Sequence, residues 1–167
     1  MCCLPAMHWQ GESMGTNLVL IAYGRHDRGK LFPRTRRQID SLKEPLQRLV
    51  GDFDIADCRV YHDGTDQAHE TALQIGFSFG PEECECEFLS YIPRVVPDEY
   101  DLTKAYRLVE QAPQKNIFFV GDPAYVSHFA RFYLARLQKP KPTAGITQGE
   151  AVVIRDDGSL HVVSPQD

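Results

Sequence analysis

The sequence predicts a three-layer α/β domain, a mostly parallel sheet with helices on both faces and an antiparallel hairpin at one edge. Three features carry that expectation. Asn17–Tyr23 and Asn116–Val120 are short, continuous apolar runs, the pattern of strands buried on both faces. Segments with apolar residues three or four apart follow each run, so strands alternate with helices. Near the end of the chain, Ala151–Ile154 and Leu160–Val163 flank Asp156-Asp157-Gly158, a turn signal between two strands.

Each element follows in order. The first strand closes at Gly24 and leads into a basic loop. Pro33 then opens a helix with Ile39, Leu42, Leu46 and Leu49 on one face and Gly51 just past its end. Pro45 falls inside that span and is expected to bend it. Cys58–Tyr61 is a second strand, after which Thr65 or Asp66 can cap a helix bearing Ala68, Ala72 and Ile75 and stopped by Gly76. From Phe77 to Pro97 glycines, prolines and acids break the pattern, with Phe88–Ile92 a candidate strand. Leu102, Ala105, Tyr106 and Val109 mark a third helix. Asn116–Val120 turns through Gly121-Asp122-Pro123 into a helix carrying Val126, Phe129, Ala130, Tyr133, Leu134 and Leu137.

Composition narrows the function classes. With 167 residues, 43% hydrophobic and 25% charged, the chain has the size and usage of one globular domain rather than a disordered or fibrous one. We expect residues 1–14 to be a tail and 15–167 a single domain. No apolar run approaches the length of a membrane span, and the amino terminus lacks the pattern of a secretory signal, so a cytoplasmic location without membrane contact is expected. Five cysteines, Cys2-Cys3 and Cys84-x-Cys86 among them, suit free thiols in a reducing compartment. Cys84-x-Cys86 with His62 and His69 matches no common zinc spacing, so neither a metal nor another cofactor is expected. The formal charge of −5 argues against nucleic acid as a partner. Charge is nonetheless uneven: six basic residues (Arg25, Arg28, Lys30, Arg34, Arg36, Arg37) face the single acid Asp27 between positions 25 and 37, whereas Glu82, Glu83, Glu85 and Glu87 form an acidic stretch.

In sheets of this kind ligands sit at the carboxyl ends of the strands, which directs attention to the residues after Tyr23, Tyr61 and Val120. The surrounding motifs carry a family resemblance. Leu31-Phe32-Pro33-Arg34-Thr35-Arg36-Arg37-Gln38 resembles the Leu-Thr-Pro-Arg-Gly-Arg-Arg-Gln segment of the small phosphohistidine-phosphatase branch of the histidine phosphatase family. Gln67-Ala68-His69-Glu70-Thr71-Ala72 resembles that branch's Arg-Ala-x-Gln-Thr-Ala, and Phe119-Val120-Gly121-Asp122-Pro123 its Leu-Val-Gly-His before a helix. The resemblance runs from about Leu18 to Ile154, in order and in spacing.

That resemblance implies a nucleophilic histidine after the first strand, an arginine beside it, a second arginine on the following helix, and a second histidine after the later strand. Such cationic groups neutralise phosphoryl oxygens as charge is redistributed. All four positions differ here. With Gly24 aligned on the family's loop glycine, Arg-His-Gly becomes Ala22-Tyr23-Gly24, Gln67 replaces the helix arginine, and Asp122 replaces the second histidine. A phenol with an ordinary pKa of about 10 is a poor nucleophile at neutral pH, and a carboxylate repels phosphate. The expectation is therefore a domain with no intact catalytic residue, binding a protein partner or a small ligand, anionic if the basic loop takes part. Arg25, Arg28 and Arg34 are its candidate anion-binding residues. The alternative is a phosphatase, acting on phosphohistidine or a small phosphoester, in which Arg25-His26 replaces the lost pair. Three extended residues displace a side chain by roughly 10 Å, and Asp27 stands in place of the glycine beyond it, which weighs against that alternative.

Overall fold

The computed structural model describes residues 15–54, 56–76, 83–85 and 96–166. The amino-terminal segment 1–14 and the candidate strand Phe88–Ile92 lie outside them. Among the described residues the central sheet has six strands: β1 (Asn17–Ala22), β4 (Cys58–His62), β5 (Glu83–Glu85), β6 (Asn116–Gly121), β7 (Ala151–Ile154) and β8 (Leu160–Val163). Their order is β5-β4-β6-β1-β7-β8. β1, β4, β5 and β6 run parallel, whereas the β7–β8 hairpin adds antiparallel strands beside β1. The small strands β2 (His26–Asp27) and β3 (Lys30–Leu31) pair with each other apart from this sheet.

Alternation along the strands divides the core into two layers, because successive side chains in a strand point to opposite faces. Leu18, Leu20, Ile117, Phe119, Val152 and Ile154 pack on α4 (Glu99–Gln111) and α5 (Pro123–Arg136). Val19, Ile21, Phe118, Val120, Ala151 and Val153 pack on α1 (Pro33–Asp40), α2 (Lys43–Val50) and α3 (Asp66–Ile75). Phe129 is fully buried on α5, with its ring 5.1 Å from that of Phe119 and 6.0 Å from that of Tyr133. The three-layer expectation holds.

Local signals explain most boundaries. Thr65 caps α3 by accepting from Ala68 N, and Gly76 ends it in the left-handed conformation at φ 105°. Asp98 caps α4 through Asp101 N. Three readings are corrected. The helix opened by Pro33 does not bend at Pro45; it ends at Asp40, and α2 starts at Lys43, so Pro45 occupies a first turn where its missing N–H is harmless. The basic stretch read as a loop contains the β2–β3 hairpin, whose central residues Arg28 (φ 48°) and Gly29 (φ 82°) both take the positive φ that a tight two-residue hairpin favours. The acid-rich stretch contributes β5, paired in parallel with β4 through Val60–Glu83 to His62–Glu85. Strand pairing there overrode the low strand propensity of glutamate.

Among the described residues no helix is long and apolar enough to cross a membrane. Core packing predicts a sharp contrast between two substitutions. Phe129→Ala should lower the unfolding free energy by about 3–5 kcal/mol, whereas Val162→Ala, on the exposed side of β8, should change it by less than about 0.5 kcal/mol. Urea denaturation of both variants measures the difference.

Candidate functional site

The site is assembled by strand register. β6 lies between β4 and β1, all three parallel, so their carboxyl ends open side by side. Ala22 pairs with Gly121, and the backbone N–H of Tyr23 donates to Gly121 O at 3.0 Å. The residues that follow, Tyr23 and Asp122, therefore leave adjacent strands at the same height. Asp63 follows β4 on the other flank of β6.

Tyr23 is 9% exposed, and its hydroxyl donates to Asp122 Oδ2 at 2.7 Å. The other oxygen of Asp122 accepts from Ala124 N at 2.8 Å and so caps α5, which starts at Pro123. One carboxylate thus closes a helix and holds the phenol. The side chain of Gln67 approaches the same phenol from α3. Burial, the bond to Asp122 and the charge of Asp122 push the Tyr23 ionisation far above its ordinary value, and Gln67 only partly opposes them. This hydroxyl stays protonated and supplies no nucleophile.

Asp63, 8% exposed, completes the group. Its Oδ1 accepts from Thr65 N at 3.0 Å and from Thr65 Oγ1 at 2.5 Å. Desolvation raises its carboxyl pKa against those two bonds, with Asp122 adding to the rise. His62 is itself buried; its Nδ1 accepts from Gly64 N at 3.1 Å, and its ring lies 5.9 Å from that of His69. The two charges that act on Tyr23, on Asp122 and Asp63, are both carboxylates. A phosphoryl group placed among them would meet repulsion in a poorly solvated setting, where such repulsion is strong.

Tyr23, Gln67 and Asp122 are thus brought together. Ala22 is fully buried in the layer under α4 and α5 and brings no polar group to the site. Gly24 donates to Thr71 Oγ1 at 3.3 Å, and a Cβ there would come within 2.3 Å of the Thr35 methyl, so the close approach of α1 requires glycine. His26 opens β2; its ring stands edge-on to Tyr23 with centroids 5.5 Å apart, and its Nδ1 lies 3.3 Å from Gly24 O. Arg25, Arg28 and Arg34 are exposed on the hairpin and at the start of α1. Asp63 and Thr71 were not singled out from sequence. Asp63 directly follows the second strand, the position where it would have been found; Thr71 carries no comparable signal.

No protein-family model and no curated protein sequence matches the chain. Solved structures do. YhfR of Bacillus stearothermophilus superposes with a TM-score of 0.59 at 14% identity, covering 89% of this chain and 96% of that one. A phosphoglycerate mutase of Plasmodium falciparum gives 0.53 at 18% identity, covering 90% and 89%. SixA of Nakamurella multipartitia, provisionally assigned as a phosphohistidine phosphatase, gives 0.54 at 16% identity, covering 92% and 96%. The chain has the histidine phosphatase, or phosphoglycerate mutase-like, fold.

The Tyr23–Asp122 bond is testable by a double-mutant cycle. Tyr23→Phe removes the donor, and Asp122→Ser removes the acceptor while keeping a good helix cap. A coupling energy of about 1–3 kcal/mol is expected from denaturation of the four proteins. Strictly additive effects would mean that the bond does not form.

Proposed function

We propose that this chain is a non-catalytic domain of the histidine phosphatase fold that works by binding, either to a protein partner or to a small ligand at the former phosphate position. The observation that carries this reading is the bond between Tyr23 and Asp122. It joins the two positions where the family resemblance implies histidines, and it leaves a neutral phenol and a carboxylate at the strand ends. With Gln67 in the place of the helix arginine, the charges that act on Tyr23 among the described residues are those of Asp122 and Asp63, opposite in sign to what phosphoryl transfer draws on. The neighbours' names include a mutase and a phosphohistidine phosphatase, but at 14–18% identity they bear on the fold, and chemistry belongs to the site.

One observation favours the second reading, a phosphatase working through Arg25-His26. If His26 Nδ1 carries the proton and donates to Gly24 O, Nε2 is left with a free lone pair, the form a nucleophilic histidine needs. Against it, His26 stands on the hairpin with its ring edge on Tyr23 rather than at the end of β1.

Hydrolysis of an aryl phosphate separates the two. The binding reading predicts phosphate release no faster than buffer and no change in His26→Ala. Turnover that His26→Ala abolishes would establish the phosphatase. Should turnover be absent, stabilisation of the native protein by phosphate or by a metabolite would mark a small-ligand site, because a ligand specific to the folded state raises the melting temperature.

A further inference from the structure

Beside the site, the β2–β3 hairpin and the exposed face of α1 form a basic surface. Arg25, Arg28, Lys30, Arg34 and Arg37 are all exposed there, and Arg36 pairs with Glu70 at 3.1 Å. The charge sits on a stiff support. Leu31 N donates to Glu70 Oε2 at 2.9 Å, Phe32 N donates to Arg25 O at 3.3 Å, and a Cβ on Gly29 would come within 2.7 Å of Asp66 Cβ. Leu31 is buried and His26 rests on Tyr23, so the Asp27–Lys30 pair occupies the opposite, outward side of the hairpin.

Two details go beyond charge. Arg28 holds φ 48° at the hairpin tip, a position where asparagine, aspartate or glycine is at ease and arginine is not. A guanidinium is therefore kept at the apex against backbone preference. Phe32, 47% exposed, sits beside Arg25 through their backbone bond. An exposed aromatic residue on a surface of exposed arginines has the composition of interface anchors, in which Arg and aromatic residues carry much of the energy.

We infer that this surface docks a short acidic segment of a partner protein, with Phe32 receiving an apolar side chain of that segment and Arg25, Arg28 and Arg37 its carboxylates. The inference deepens the binding reading above by naming the partner's chemistry. A nucleic acid fits less well. Eight residues of α1 extend only about 12 Å, enough for a few charges, and a longer polyanion would run onto a protein of net charge −5. A rigid platform also reduces the ordering cost of association.

The experiment uses fluorescence anisotropy of a short fluorescein-labelled peptide of glutamates around a central leucine, titrated with the full chain. Saturable binding is expected that weakens steeply with salt. Combined Arg25→Glu and Arg37→Glu should weaken it at least about tenfold, and Phe32→Ala about threefold or more. Arg28→Asn separates function from folding: it should hold or raise the melting temperature, since asparagine accepts positive φ, yet weaken the peptide. Binding indifferent to these changes overturns the inference. So does tighter binding of a single-stranded oligonucleotide of equal charge, which would assign the surface to nucleic acid. Salt-sensitive self-association lost in the charge-reversed variant would assign it to a second copy and equally overturn it. Absent peptide binding with no phosphatase turnover defeats this inference alone; turnover dependent on His26 defeats the binding reading as well.

Discussion

The parallel register of β1 against β6 is the constraint on which the site depends. Six residue pairs, from Asn17–Asn116 to Ala22–Gly121, lock the two central strands together. Both strands are buried along their whole length, so a slip of one residue would turn every apolar side chain to the wrong layer. Whatever residues follow Ala22 and Gly121 must meet. In this chain they are a tyrosine and an aspartate, and at 2.7 Å they satisfy each other.

That meeting changes what the strand ends can do without disturbing the fold. The carboxylate that holds the phenol also caps α5, and the glycine after Tyr23 lets α1 approach closely. Every group is thus tied into packing and helix termination. Local electrostatics then set the character of the site: burial and two carboxylates keep the phenol protonated, and the carboxyl of Asp63 is raised by its own burial. Exposed positive charge lies outside the site, on the hairpin and along α1. The separation of a neutral-to-acidic interior site from a basic rim is the physical basis for reading the domain as a binder.

Much of this was legible in the sequence, for identifiable reasons. Continuous apolar runs located β1 and β6, helix spacing with Thr65, Gly76 and Asp122 located α3 and α5, and Asp156-Asp157-Gly158 located the β7–β8 hairpin. These signals are local and strong. The β2–β3 hairpin was hidden because its tip pairs an arginine with Gly29 and its strands are two residues long. β5 was hidden because its glutamates are held by the edge of β4 and not by their own propensity. At the site, strand-end positions pointed to Tyr23 and Asp122 and the motif on α3 to Gln67, whereas Asp63, directly after β4, shows its place only with β4 beside β6, although its position after the strand is a signal the sequence carries.

The state of the Tyr23 phenol tests the central claim most directly. In protein carrying ¹³C-labelled tyrosine, the Cζ resonance of Tyr23, assigned by its loss in Tyr23→Phe, can be followed as pH rises. The account predicts no ionisation through about pH 11, and a return toward ordinary behaviour in Asp122→Ser. An ordinary titration centred near about pH 10 in the unaltered protein would show a free phenol and contradict the account.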